Sequence, residues 1–224
     1  MREKQERPLP CLPVYVGFIC LSYGLHALVV HPTLGAVDGH RVADLFGDLC
    51  ALSWLGVSFA CLPWHDFRAT SSHVFIWWTG MVFFGILYIM VPMTAGGAFQ
   101  YSFASLTEGR LTSAQLRAFW LLVFTPLVLL AVYWARKFHT MSPARRNVFG
   151  NLCVTVFAIW LVSYLTCLGV CEYHPHHWWV GFCLVLLSTP TLDTAFDYLL
   201  QGFFWALIVD GVVMYDVEIT KFFL

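Results

Sequence analysis

Residues 69–107 contain no Asp, Glu, Lys or Arg. A stretch of this length without charge cannot form the water-facing surface of a soluble domain. Only 11% of the whole chain is charged, whereas soluble domains carry about 25% charged residues. The chain therefore predicts a protein whose surface faces lipid over most of its area.

Apolar segments follow one another along the whole chain. A helix needs about 20 apolar residues to cross a bilayer, and prolines lie at or beyond the ends of several segments, as is typical of helix boundaries. The pattern predicts an all-α fold, a polytopic transmembrane bundle of about seven spans that forms a single integral membrane domain over residues 1–224. The predicted spans are 13–31, 43–63, 73–94, 116–136, 148–171, 176–190 and 194–215.

The distribution of basic residues predicts the orientation. Lys and Arg accumulate in cytoplasmic loops. An N-terminus on the inside places eight of the 12 Lys and Arg residues there, and the loop between spans four and five dominates the bias. We therefore expect the N-terminus inside and the C-terminus outside.

Net charge and the N-terminal segment limit the partners and the location. The formal net charge is −1, which gives no basic field for nucleic acid. The predicted partners are the lipid bilayer and other membrane subunits. The acidic residues and the lack of Ser near the N-terminus argue against a transit peptide. A eukaryotic endomembrane or the plasma membrane is the expected location, with the mitochondrial inner membrane as an open alternative.

Imidazole and carboxylate groups concentrate on the predicted outer face. Residues 40, 44 and 48 follow a spacing of four, which stacks them on one side of a helix, and three more histidines open span six. This ligand chemistry suits zinc and also iron or manganese. The alternative is a hydrogen-bonded polar cluster at the membrane boundary. The predicted ligands of a divalent metal such as zinc are His174, His176, His177, His40, Asp44, Asp48 and Asp210.

Two of these carboxylates lie at membrane depth. Asp48 is about one turn inside the second span, where a carboxylate needs a partner, and the first choice is His40, His26 or a histidine at the outer end of span six. Asp210 lies in span seven. Because a short loop joins spans six and seven, we expect them to pack together. This pairing would bring Asp210 to the depth of the histidines around His176.

The start of span seven carries a structural signal. Asp193 and Asp197 precede or open the helix, where acidic residues cap the backbone and favour the helix dipole. One turn further in, Gly202 permits close approach of a second helix, and Gln201 can donate a hydrogen bond across it. These residues predict a tightly packed helix with a capped N-terminus.

The stretch from His174 to Gly211 resembles the C-terminal membrane region of uncharacterised eukaryotic multi-pass proteins, some of which, in fungi, also carry an LCCL domain. The resemblance rests on a His-x-His-His-aromatic motif, a Gln-Gly pair and an acidic residue followed by Gly. It implies a membrane-embedded C-terminal region and supplies no activity.

The sequence predicts an integral membrane protein with a polar His/Asp cluster at its outer face and does not define its activity. Three functions fit these observations. The first is a metal-assisted hydrolase that acts on a lipid or acyl group, with water activated by the bound metal. The second is a non-enzymatic subunit or scaffold of a membrane complex. The third is a proton- or cation-coupled carrier, in which His and Asp groups relay protons or bind a cation.

Overall fold

A computed structural model describes residues 16–26, 42–60, 71–94, 109, 111–167 and 177–215, and within these ranges the fold is all-α. Each of the seven predicted segments contains a helix. Three of these helices are long and apolar enough to cross a membrane, over Ser113–Thr140, Pro143–Leu165 and Ala195–Val212. The helices are α1 (Val16–His26), α2 (Val42–Ala60), α3 (Ser71–Thr94), α4 (Ser113–Thr140), α5 (Pro143–Cys167), α6 (His177–Ser188) and α7 (Ala195–Tyr215).

Helix α7 is the centre of the bundle. Its buried side chains include Trp205 and Ile208, which are fully inaccessible. A Cβ atom on Gly202 would lie 2.2 Å from the carbonyl oxygen of Trp77 in α3. A Cβ atom on Gly181 of α6 would lie 2.8 Å from the carbonyl oxygen of Phe204. Glycine thus permits backbone contact on two sides of α7, as the sequence predicts for Gly202.

The ring contacts give the directions of the packed helices. His73 stacks on Tyr198 near the first turns of α3 and α7, and Phe84 lies against Phe203 further along both. Helices α3 and α7 therefore run in the same direction. Helix α6 runs opposite to α7, because the short turn after it joins the two helices and Thr189, at the end of α6, accepts a hydrogen bond from Gln201 near the start of α7.

Helix α4 contains a π-helical segment, Trp120–Phe124. Pro126 follows it and has no N–H group to continue the α-helical hydrogen bonds. The wider turn and the hydroxyl of Thr125, which donates to the carbonyl oxygen of Trp120 at 2.7 Å, accommodate this interruption. The helix then continues to Thr140.

Helices α4 and α5 lie at the edge of the bundle. Trp134 and Phe149 are the buried side chains of α4 and α5 among the described residues, and their rings contact each other. Most of the remaining surface of both helices is exposed and apolar. Such a surface is typical of lipid-facing helices, whereas α7 is shielded by its neighbours.

Candidate functional site in the bundle core

Asp210 is a buried carboxylate near the end of α7. Its exposed fraction is 2%, and its Oδ1 atom has no hydrogen-bond partner among the described residues. A buried carboxylate normally gains a partner, because desolvation without compensation is costly. The packing of the bundle therefore gives no structural reason for a buried carboxylate at position 210.

His26, the last described residue of α1, is the second such group. Its side chain is fully inaccessible, and neither ring nitrogen makes a well-aligned hydrogen bond within the described part of the chain, although the backbones of Met81 and Val82 in α3 lie beside the ring. The imidazole occupies a notch in α3, where a Cβ atom on Gly85 would lie 1.8 Å from His26 Cε1. The absence of a side chain on Gly85 therefore makes room for the histidine ring.

Asp48 has the polar partner that its depth predicts. The hydroxyl of Tyr23 in α1 donates to Asp48 Oδ2 in α2 at 2.7 Å, and both side chains are buried. The sequence favoured histidine as the partner. His26 does not fill this role, and the side chains of His40 and of the histidines at the start of span six lie outside the described part of the chain. Tyr23, one turn before His26, is a partner that the sequence did not suggest. A tyrosine hydroxyl satisfies a carboxylate without bringing in a second charge.

These residues gather toward one end of the bundle. The contact between Gly202 and Met81 marks a common level on α7 and α3. At 1.5 Å per residue, Gly85 lies about 6 Å beyond this level along α3, and Asp210 lies about 12 Å beyond it along α7. The notch that holds His26 is thus within about one turn of the level of Asp210. We call Asp210, His26 and the Tyr23–Asp48 pair, which lies about one turn before His26 along α1, the polar layer.

The start of α6 lies at the same level. Gly181 packs against Ile208. His177 begins α6 four residues earlier, and Asp210 lies two residues beyond Ile208. Because α6 and α7 are antiparallel, both positions lie toward the same end, within about 3 Å along the helix axes.

The predicted metal ligands are described only in part. His40, His174 and His176 lie outside the described residues, and for Asp44 and His177 the backbone alone is described, as helix. Asp48 and Asp210 are both buried. Among the residues whose side chains are described, no group of three His, Cys, Asp or Glu could hold a metal ion. The metal site therefore stays a prediction.

A second polar cluster lies at the opposite end of the bundle and is fully paired. Asp197 is 1% exposed and accepts hydrogen bonds from Lys137 and from the Tyr133 hydroxyl, both in α4. It also accepts from the backbone N–H of Thr194 at 2.7 Å, so it caps α7, as the sequence predicts. We call Asp197, Lys137 and Tyr133 the α4 clamp.

The clamp also binds the turn between α6 and α7. Lys137 Nζ donates to the carbonyl oxygen of Thr191 at 2.5 Å. Lys137 lies just beyond the predicted fourth span, which ends at residue 136, and its role in the clamp was not predicted from the sequence. Its spacing of four from Tyr133, which puts both side chains on one face of α4, is a signal that could have suggested it. Every polar atom of this cluster has a structural role, unlike those of His26 and Asp210.

No protein-family model, curated protein or solved structure matches this chain.

Proposed function

We propose that this chain is an integral membrane protein of about seven spans, with the N-terminus inside, that acts as a proton- or cation-coupled carrier. The three long apolar helices support the membrane location. Helices α1, α2, α3 and α6 occupy the other predicted spans, and their described stretches are themselves apolar. The bias of basic residues toward the loop between α4 and α5 supports the orientation.

The observation that carries the carrier function is the pair of unpartnered titratable groups in the polar layer. His26 and Asp210 are both buried, and both keep polar atoms without partners among the described residues. Titratable groups inside a membrane bundle mark ion pathways and proton relays. A proton or a small cation taken up at Asp210 would compensate its buried charge, and the imidazole of His26, about one turn away along the bundle axis, would accept or donate a proton.

Irregular helix geometry supports the same function. Carriers place their sites beside discontinuous helices that can rearrange. The π-helical segment Trp120–Phe124 interrupts α4, toward the end of that helix away from Tyr133 and Lys137. The α4 clamp would then act as the fixed end of the bundle, because all of its groups are paired.

The metal-assisted hydrolase is the second candidate. The observation that favours it is the position of His177, the first residue of α6, at about the same depth in the bundle as Asp210. A divalent metal held there by His174, His176 or His177 with a carboxylate would activate water for attack on a lipid or acyl group. This function depends on ligands outside the described residues.

Cation binding tests the carrier proposal. The purified protein in lipid nanodiscs is heated at several pH values and with Na⁺, K⁺, Mg²⁺ or Zn²⁺. A ligand at 100 times its Kd stabilises the folded state by about 2.7 kcal/mol, so we expect at least one proton- or cation-dependent rise in Tm. The rise should vanish in Asp210→Asn and persist in Asp193→Asn, an exposed carboxylate at the other end of α7. An unchanged Tm under all conditions, or an equal rise in Asp210→Asn, would contradict the proposal.

A further inference from the structure

The hairpin of α4 and α5 carries positive charge without negative charge. Residues 109–171 contain no Asp or Glu. Six of the 12 Lys and Arg residues lie in this stretch, and four of the six fall between residues 136 and 146, where the two helices meet. Asp197 of α7 neutralises one of the four, Lys137. The charges of Arg136, Arg145 and Arg146 are left, and we call these three residues the basic rim.

The three arginines lie at one depth. Arg136 is about 6 Å before the end of α4, and Arg145 is about 3 Å after the start of α5, at 1.5 Å per residue. A two-residue turn joins the antiparallel helices, so the two positions differ by only about 3 Å along the helix axes. Arg146 Nε donates to the carbonyl oxygen of Met141 at 2.9 Å, which holds this side chain at the turn. Among the described residues, none of the three guanidinium groups forms an ion pair.

An apolar stripe of α4 leads to Arg136 on the side away from the bundle. Trp134 packs on Phe204 of α7, and Arg136, two residues further along, points to nearly the opposite side at 100° per residue. Leu129 and Val132, seven and four residues before Arg136, share its side of the helix and are 63% and 46% exposed. The predicted fourth span ends at residue 136, so the guanidinium lies at the membrane boundary. Apolar contacts that end in a positive charge at this depth match the acyl chain and phosphate of a phospholipid.

We propose that the basic rim binds the phosphate group of an anionic phospholipid whose acyl chain lies along Leu129 and Val132. Lipid is the neighbour that this side of α4 has in a membrane, and the unbalanced positive charge selects an anionic headgroup over a zwitterionic one. Guanidinium groups present several donors in a fixed fork that matches phosphate oxygens. The inference rests on the proposed membrane location and is independent of cation binding in the polar layer.

Lipid titration of the full chain tests the basic rim. The protein in neutral detergent is titrated with phosphatidylglycerol or phosphatidylcholine that carries a fluorophore on its acyl chain, and anisotropy gives each Kd. A basic residue beside the headgroups contributes about fivefold in association with anionic lipid, so phosphatidylglycerol should bind at least about fivefold more tightly. Arg136→Gln with Arg145→Gln should weaken its binding by about 25-fold, whereas Lys at both positions should largely preserve it. Equal affinities for the two lipids, or an unaffected Gln variant, would overturn the proposal.

Two controls locate the lipid and identify its source. Arg117→Gln changes an exposed arginine near the other end of α4 and should leave the affinity for phosphatidylglycerol unchanged. A loss equal to that of Arg136→Gln alone would overturn the assignment to the basic rim. Inorganic phosphate at constant ionic strength should not displace the lipid, because a free anion gains nothing from the apolar stripe, and complete displacement would assign the basic rim to a free anion instead. Release of the chain from membranes by carbonate would overturn the proposed membrane location as well, whereas loss of the lipid preference alone would leave that location standing.

Discussion

The imidazole of His26 occupies the space that a side chain on Gly85 would fill. The ring lies so close to α3 that a Cβ atom on Gly85 would approach its Cε1 atom to 1.8 Å and its Nε2 atom to 1.9 Å. The position of the histidine in the polar layer is therefore determined by a glycine on another helix.

Gly85→Ala should destabilise the protein, because the added methyl group overlaps the ring. Overpacking of this kind costs about 1–3 kcal/mol, measurable as a lower free energy of unfolding in detergent. Gly47→Ala is the matched control, since no atom lies within 4 Å of its Cβ position, and it should be neutral or stabilising by up to about 1 kcal/mol.

The double variant Gly85→Ala with His26→Ala separates this contact from a general effect on α3. If the overlap with the ring is the cause, the two changes together should be less destabilising than the sum of the single changes. Strictly additive effects would show that Gly85 matters for a different reason.

The α4 clamp should be a main source of stability at its end of the bundle. Lys137→Met leaves the buried Asp197 carboxylate without its cation, and the loss of one partner from a buried ion pair costs about 3–5 kcal/mol. Arg136→Met, at the neighbouring exposed position, should stay within about 0.5 kcal/mol of the parent protein. Chemical denaturation in detergent measures both. Equal stability of the two variants would show that the clamp contributes little.

The capping role of Asp197 was predictable, whereas its other partners were not. A carboxylate in the first turn of a helix caps backbone N–H groups through local geometry, and such geometry is visible in a single segment. Lys137 lies 60 residues away in sequence. A contact of this range depends on how α4 packs, which the spacing of apolar residues in one helix does not specify.

The polar layer was likewise predictable in part. The depth of Asp48 predicted that it needs a partner, yet several residues could have met that need, and Tyr23 does so. Hydropathy identified α5 and α7 alike as apolar runs. It could not show that α7 is central and α5 peripheral, because a buried helix and a lipid-facing helix are equally apolar.

Cysteine labelling tests the predicted topology. Ser142 lies in the loop between α4 and α5, and Thr107 precedes α4. With the N-terminus inside, a membrane-impermeant reagent added to sealed vesicles whose cytoplasmic face points outward should label Ser142→Cys directly and Thr107→Cys only after permeabilisation. Labelling of both positions from one side would refute the alternation of spans between them.

Metal content tests the predicted histidine site. If His176 and His177 hold a divalent metal, the paired change His176→Ala and His177→Ala should remove that metal from the purified protein and lower its Tm. His139→Ala, an exposed histidine in α4, should change neither quantity. Retention of the full metal content and Tm by the paired variant would make these histidines ordinary polar groups of the membrane boundary.

Flux in liposomes tests the carrier function most directly. The parent protein, reconstituted with a pH-sensitive dye inside the vesicles, should carry protons, or a cation coupled to protons, down an imposed gradient. Asp210→Asn and His26→Ala should each lower the transport rate at least tenfold. Asp193→Asn, which changes an exposed carboxylate just before the start of α7, should leave the rate unchanged. A parent protein that transports neither protons nor any tested cation, or an Asp210→Asn variant as fast as the parent, would contradict the function proposed for the polar layer.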